Sequence, residues 1–298
     1  MKHLVLDVGG SAIKYAVMED DFSLLEKGKL EGRQPDAAHF ADAIRGLRAR
    51  FPDTEGVAVS YCGEVDPLTG QVLGAGSYAC FEEVNLKAHL ERALGTTVWV
   101  EKDANCAALA ETRFGVLRDE RFAAALIFGT GMGCALLLDG KLHYGAHGRS
   151  ALATLVSTAR RAFVPKFRVD DGLRFWNGKL RRRPNPTGID GVRFFRKVKR
   201  KSPFALRRFH AFTRHVARFI ADLQMTLDLE AIAIGGGVSA EPLFVSGIRE
   251  AVNREWENKW VRLTQAVKPE IRVCSTGNDA NLIGALIHFQ AMEAKEAD

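Results

Sequence analysis

The alternation of apolar runs and glycine turns follows one plan twice along the chain. Leu4, Val5 and Leu6 form an apolar run ending on Asp7, Gly9-Gly10-Ser11 supplies a turn, and Ile13 to Met18 resume an apolar run broken by Lys14. Short apolar runs bounded by glycine read as strands, so this segment predicts a hairpin. About 120 residues later, Ala123 to Phe128 lead into Gly129-Thr130-Gly131-Met132-Gly133, and Cys134 to Leu138 run back. Two copies of one hairpin predict a duplicated fold with one nucleotide between its halves.

Between the copies the pattern predicts a helix over about 36–50, a buried strand at Val57-Ala58-Val59-Ser60, and a strand at Val98-Trp99-Val100 leading into Asp103. From Asn105 to Phe114 the spacing is helical, with Ala107, Ala108 and Ala110 as strong helix formers and Gly115 as a stop. After Ser202, the residues Phe209, Phe212, Val216, Phe219, Ile220, Leu223 and Leu227 recur at three and four positions and predict a long amphipathic helix. Ile232-Ala233-Ile234 then reads as a strand opening onto Gly235-Gly236-Gly237, and the tail from Asn278 through His288 is helical and expected to cross back to the first lobe.

With 298 residues, 47 % of them hydrophobic, the chain can fill the cores of two α/β domains. The start shows no apolar signal region, and no stretch approaches the ~20 apolar residues of a membrane helix, so a cytoplasmic protein without membrane contact is expected. Five scattered cysteines without a C-x-x-C pair predict free thiols and no structural zinc. The net charge of +6 is uneven: residues 160–218 hold 19 Lys/Arg against three Asp, about +16, leaving about −10 elsewhere.

Three glycine loops, each after an apolar strand, carry the first chemical signal, because backbone N–H groups without a neighbouring Cβ can approach phosphate oxygens. Gly9-Gly10-Ser11 and Gly129-Thr130-Gly131 could grip phosphates from opposite lobes while Gly235-Gly236-Gly237 backs the adenosine. Each alone is equally a tight turn; the three in this order favour a nucleotide. Asp7 could hold a Mg²⁺-bound water beside the phosphates, or be a turn aspartate. Asp103, where a strand hands over to a helix, is either an N-cap or the base that takes the proton of an attacking hydroxyl.

These residues resemble the ROK family (repressors, open-reading-frame proteins and sugar kinases), through the runs at 6–14, 102–111, 129–133, 234–239 and 277–285 in the family's order. The resemblance implies a two-lobed ribonuclease-H-like fold of the actin-like, hexokinase type, with an interlobe cleft, lobes at 1–114 plus about 287–298 and at 115–286, and ATP-dependent phosphorylation of a sugar hydroxyl. It makes Asp103 the catalytic base. Phosphate binding falls to Asp7, Gly9, Gly10, Ser11, Lys14, Gly129, Thr130 and Gly131, adenosine binding to Gly235, Gly236 and Gly237, and a homodimer is implied. Gly76, Ser77 and Asn85 fall where such kinases line the sugar site.

Departures from the family bear on the acceptor. Lys102 stands where family kinases carry Asn before the catalytic Asp, Leu152 where they carry a sugar-binding Glu, and Arg149 lies nearby. Either the enzyme phosphorylates a different hydroxyl substrate, a sugar or an anionic sugar derivative drawn by Lys102 and Arg149, or the site has decayed into a ligand sensor or regulator. The basic stretch, with Arg181-Arg182-Arg183 at its centre, reads as a charged surface rather than a nucleic-acid footprint, and Trp176, Phe194 and Phe195 as core anchors of helices. Cys106 reads as a packing residue, and His143 and His147 as surface or structural.

Overall fold

The computed structural model describes residues 1–10, 12–32, 34–129, 132–150, 173–176, 179–182 and 191–297. These divide into two compact units, Met1–Arg118 with Leu142–Ser150 and Thr276–Asp298, and Asp119–Lys141 with Ala151–Ser275.

In the first unit, β1 (Lys2–Val8), β2 (Ala12–Glu19) and β3 (Leu24–Glu31) form an antiparallel meander, to which β4 (Gly56–Tyr61) and β7 (Thr97–Lys102) add in parallel, giving the order β3-β2-β1-β4-β7. A short pair, β5 (Glu64–Val65) and β6 (Val72–Gly74), follows β4. Strand alternation sorts side chains to the two faces of the sheet. Leu4, Leu6, Val8, Val57, Val59, Val98 and Val100 pack with Phe40 and Ile44 of α1 (Ala37–Ala49) and Leu86 and Leu90 of α2 (Leu86–Leu94). Val5, Ala58 and Trp99 pack on the other face with Cys106 of α3 (Asp103–Phe114) and Leu282, Leu286 and Phe289 of α8 (Ala280–Ala297).

Helices α3 and α8 meet closely because both are lined with small residues. Ala104, Ala107 and Ala108 are buried on α3, and a Cβ on Gly284 of α8 would lie 1.8 Å from the Cys106 carbonyl oxygen. That contact fixes where α3 begins, and hence where Asp103 sits.

The second unit repeats the plan. Its sheet runs β10-β9-β8-β13-β14, with β8 (Ala123–Phe128), β9 (Met132–Leu138) and β10 (Lys141–Leu142) matching the meander and β13 (Ala231–Gly235) and β14 (Glu270–Val273) parallel to β8. The duplication predicted from two hairpins therefore extends to whole sheets. Helices α4 (Gly191–Lys199), α5 (Pro203–Leu227) and α6 (Pro242–Trp256) pack against it, α5 through Phe209, Phe212, Val216, Phe219 and Ile220. A short α7 (Lys259–Leu263) follows α6.

Three expectations change in detail. Strand β3 was not legible, because nearly all of its residues are exposed or half-exposed and its sequence lacks an apolar face. Residues 142–150 and 276–286, expected in the second lobe, belong to the first unit; the Tyr144 hydroxyl donates to Glu101 at 2.8 Å and the Thr276 amide to Glu111 at 2.8 Å. Of the basic stretch, 173–176 and 179–182 form a hairpin, β11 (Leu173–Trp176) with β12 (Lys179–Arg182), so Trp176 lies in a strand, not a helix. Phe195 is buried, and Phe194 packs against the same core, as expected of anchors. Leu152 and Arg183 lie outside the described residues. Among the described residues no helix is long and apolar enough to cross a membrane.

Candidate active site

Strands β1, β4 and β7 are parallel and end together, the side of an open α/β sheet where ligands gather. Their register places Asp7 beside Ser60 and Ser60 beside Glu101, and one residue on, Val8 beside Tyr61 and Tyr61 beside Lys102. Alternation therefore turns Asp7 and Glu101 toward the α3 and α8 face and Lys102 away from it.

Asp103 is the first residue of α3, with Lys102 in the N-cap position, so the capping explanation for Asp103 does not hold. Its Oδ1 accepts the Ala104 N–H at 2.7 Å. Burial raises the carboxyl to about 6, with Asp7 and Glu64 adding to the rise and the Ala104 N–H and Lys102 opposing it. The residue keeps partial solvent access, which leaves a path for a substrate hydroxyl. A carboxylate poised near 6 is basic enough to take a proton and ionised at neutral pH. Activity measured against pH is therefore expected to rise with unit slope up to about pH 6 and level off above it; a midpoint near 4 would show an unperturbed acid and contradict this environment.

Asp7 sits 6 % exposed between two donors, Lys14 Nζ at 3.1 Å and Asn281 Nδ2 at 3.0 Å. Lys14 is thus engaged with Asp7. A carboxylate oxygen with one donor keeps lone-pair capacity, and one such group suits Mg²⁺, which takes few protein ligands beside waters and phosphates. Among the described residues no group of three or more His, Cys, Asp or Glu is placed to hold a metal. Asp7 therefore fits a magnesium ion carried in with nucleotide, through water.

Of the first glycine turn, Gly9 donates its N–H to the Ala12 carbonyl at 3.1 Å and its own carbonyl accepts the Tyr78 hydroxyl at 3.2 Å. The Gly9 amide is thus engaged inside the turn. A Cβ at Gly10 would meet Ser77 Oγ at 2.6 Å, so the turn and the Gly76-Ser77 corner are packed together. Gly76 has φ +59°, and a Cβ there would meet the Cys62 carbonyl at 2.2 Å. In the second unit Gly129 and Gly237 face open space where a Cβ would meet nothing within 4 Å, so packing does not require glycine at either. Gly235 and Gly236 are demanded by packing, against Cys274 and the Phe128 carbonyl. Ser11, Thr130 and Gly131 lie outside the described residues.

In Asn85 the Oδ1 accepts the Ala88 N–H and the amide donates to the Thr69 carbonyl, both at 2.8 Å. It caps α2, and each side-chain atom is engaged once, within its own loop. Lys102 is nearly buried and its ammonium pairs with Glu64 at 3.2 Å. Drawing it to an anionic ligand would strand a half-buried Glu64.

Glu64, Glu101, Asn105, Tyr144 and Asn281 were not singled out by sequence patterning. Glu101 could have been found, since it shares the inward strand face with Trp99, where an acid needs a reason. Glu64 depends on a two-residue strand that periodicity cannot resolve. Beside this group a cavity of about 690 Å³ is lined by Asp66–Leu68, Leu73 and Tyr144–Arg149, a size that suits a disaccharide-scale ligand. Arg149 and His147 are exposed on its wall. Cys62 and Cys106 carry free thiols; burial lifts Cys62 to about 11 and Cys106 well above its ordinary value, so neither is a nucleophile.

Comparison with known proteins places this arrangement. A beta-glucoside kinase of Klebsiella pneumoniae is 29 % identical over 98 % of this chain and 97 % of its own length. The fold matches a ROK family protein of Streptococcus pneumoniae solved with sucrose, at TM-score 0.79 and 24 % identity over 99 % of this chain and all of that one. It also matches a ROK glucokinase of Streptomyces griseus solved with glucose and AMPPNP, at TM-score 0.72 and 24 % identity over 96 % and 98 % of the two chains. With the model of the ROK family matching residues 3–153 and 166–292, and the duplicated sheets in place, the chain belongs to the ROK family.

Proposed function

We propose that the protein transfers the γ-phosphoryl group of ATP to a hydroxyl of a neutral sugar or glycoside, with Asp103 as the general base. The observation that carries this is the placement of the half-buried Asp103 carboxylate at the start of α3, just past the C-terminal end of β7 and beside the ends of its parallel neighbours. The acceptor hydroxyl gives its proton to Asp103 as its oxygen bonds to the γ-phosphorus; the bond from that phosphorus to the bridging oxygen breaks and ADP departs. Asp7 would hold a Mg²⁺ ion brought in with ATP through its water, and that ion would neutralise phosphate charge. Gly10 belongs to the turn beside Asp7, while Gly129 and Gly237, open glycines following β8 and β13 of the second unit, suit a nucleotide.

Two features favour a neutral acceptor over the anionic one considered at first. Lys102 is already neutralised by Glu64, and the cavity wall includes Pro67, Leu68, Leu73 and Ala146, which suit the apolar faces of a sugar or aglycone. The decayed-site alternative is less favoured, since the chain matches a beta-glucoside kinase over nearly its whole length. ADP release from Mg-ATP across neutral, amino, acidic and phosphorylated sugars and glycosides tests this. Turnover on neutral hexoses or glycosides is expected; turnover confined to phosphorylated or acidic acceptors overturns the neutral assignment and points to Arg149.

A further inference from the structure

Glu101 is fully buried two residues before Asp103, and its two carboxylate oxygens serve different parts of the first unit. Oε1 accepts the Lys102 N–H at 2.7 Å and the Asn105 side-chain amide at 3.0 Å, bonds that bracket Asp103 at the start of α3. Oε2 accepts the Tyr144 hydroxyl at 2.8 Å, and Tyr144 opens the run that lines the 690 Å³ cavity. His288 Nδ1 lies 3.6 Å from the same oxygen. Burial lowers the His288 pKa and keeps that ring neutral, while burial, then the charge of Glu101, raises the Tyr144 phenol, so Tyr144 stays a donor. Three hydrogen bonds therefore hold a fully desolvated carboxylate, and losing any leaves part of it unpaired.

A core without this group would be simpler to build, since a buried carboxylate is costly unless fully bonded. Its placement joins two elements far apart in sequence, the N-terminus of the helix bearing the base and the segment forming the cavity wall. We infer that Glu101 is a positioning residue that, through Tyr144 on one side and the Lys102 amide and Asn105 on the other, sets the acceptor cavity relative to the Asp103 carboxylate. The inference rests on the kinase assignment above. Small misplacements of reacting groups have large kinetic costs, which gives a rigid tie between base and cavity its purpose.

The test separates the two arms of Glu101. Tyr144→Phe cuts only the cavity arm: the acceptor KM is expected to rise about 10-fold while kcat stays within about 3-fold and the ATP KM does not change. Asn105→Ala loosens the base arm: kcat is expected to fall about 10-fold with the acceptor KM nearly constant. Glu101→Gln keeps an acceptor for the Lys102 and Asn105 groups but turns an N–H toward the Tyr144 hydroxyl, which loses its acceptor. It should therefore keep kcat within about 3-fold of wild type with the pH midpoint near 6 retained, and raise the acceptor KM as Tyr144→Phe does. A tie that is merely structural predicts lower melting temperatures with kcat and KM unmoved, and that result overturns the inference. So does a Glu101→Gln variant as impaired in kcat as Glu101→Ala, since it would make charge rather than position the role. If wild type turns over no acceptor, the kinase assignment fails by itself. Hydrogen exchange then decides the tie: Tyr144→Phe should speed exchange in 142–150 and leave β1 and β4 unchanged, and unchanged exchange in 142–150 refutes it.

Discussion

Asp103→Asn is expected to lower kcat about 10³-fold and leave the ATP dissociation constant within about 2-fold, because the base acts only as the hydroxyl attacks. The same substitution should stabilise the protein at neutral pH. The folded Asp103 carboxyl is raised to about 6, so the folded state binds a proton more tightly than the unfolded chain. Stability is fullest below the ordinary carboxylate pKa and is lost as pH rises toward 6; above that, ionised Asp103 weakens the fold by up to about 2 kcal/mol, reduced for its partial exposure. Asparagine carries no such cost. The variant should therefore melt higher than wild type at pH 7.5 and equally at pH 4. Equal melting at both pH values, or substantial turnover by the variant, would remove Asp103 from the role.

Gly284→Ala is expected to be the most destabilising single-methyl change in the first unit. The added carbon would lie 1.8 Å from the Cys106 carbonyl oxygen, and a backbone atom cannot rotate aside as a side chain can. Helices α3 and α8 must separate, which disturbs Leu282, Leu286 and Phe289 against the sheet, shifts Asn281 away from Asp7, and moves the start of α3. Overpacking of this kind costs about 3 kcal/mol or more, and a melting temperature lower by roughly 10 °C is expected for a chain of this size. Acceptor turnover should fall with it, since α3 carries Asp103. A thermal melt within about 2 °C of wild type would show that α8 is not packed as described.

Elements with strong apolar periodicity are legible in the sequence. The hairpins at 4–18 and 123–138, the strand before Asp103, the long α5 and the C-terminal α8 all follow from spacing, because burial of one face dictates the pattern. Strand β3 was hidden, since its hydrogen bonds to β2 need no buried side chains. At the site, Asp7 and Asp103 were legible because an acid at the end of an apolar strand stands out. Partnership was not. The pairing of Lys102 with Glu64 on β5 and the capping of α2 by the Asn85 Oδ1 have no signature in spacing. Both depend on contacts between short, irregular segments, for which local sequence carries no period.

The central claim is phosphoryl transfer to a neutral acceptor, and the most direct test follows radiolabel from [γ-³²P]ATP onto acceptor in the presence of Mg²⁺. The account predicts label on a neutral sugar or glycoside with wild type and at most a trace with Asp103→Asn. Wild-type protein that binds ATP yet labels no neutral acceptor, or an Asp103→Asn variant that labels one equally well, would contradict it.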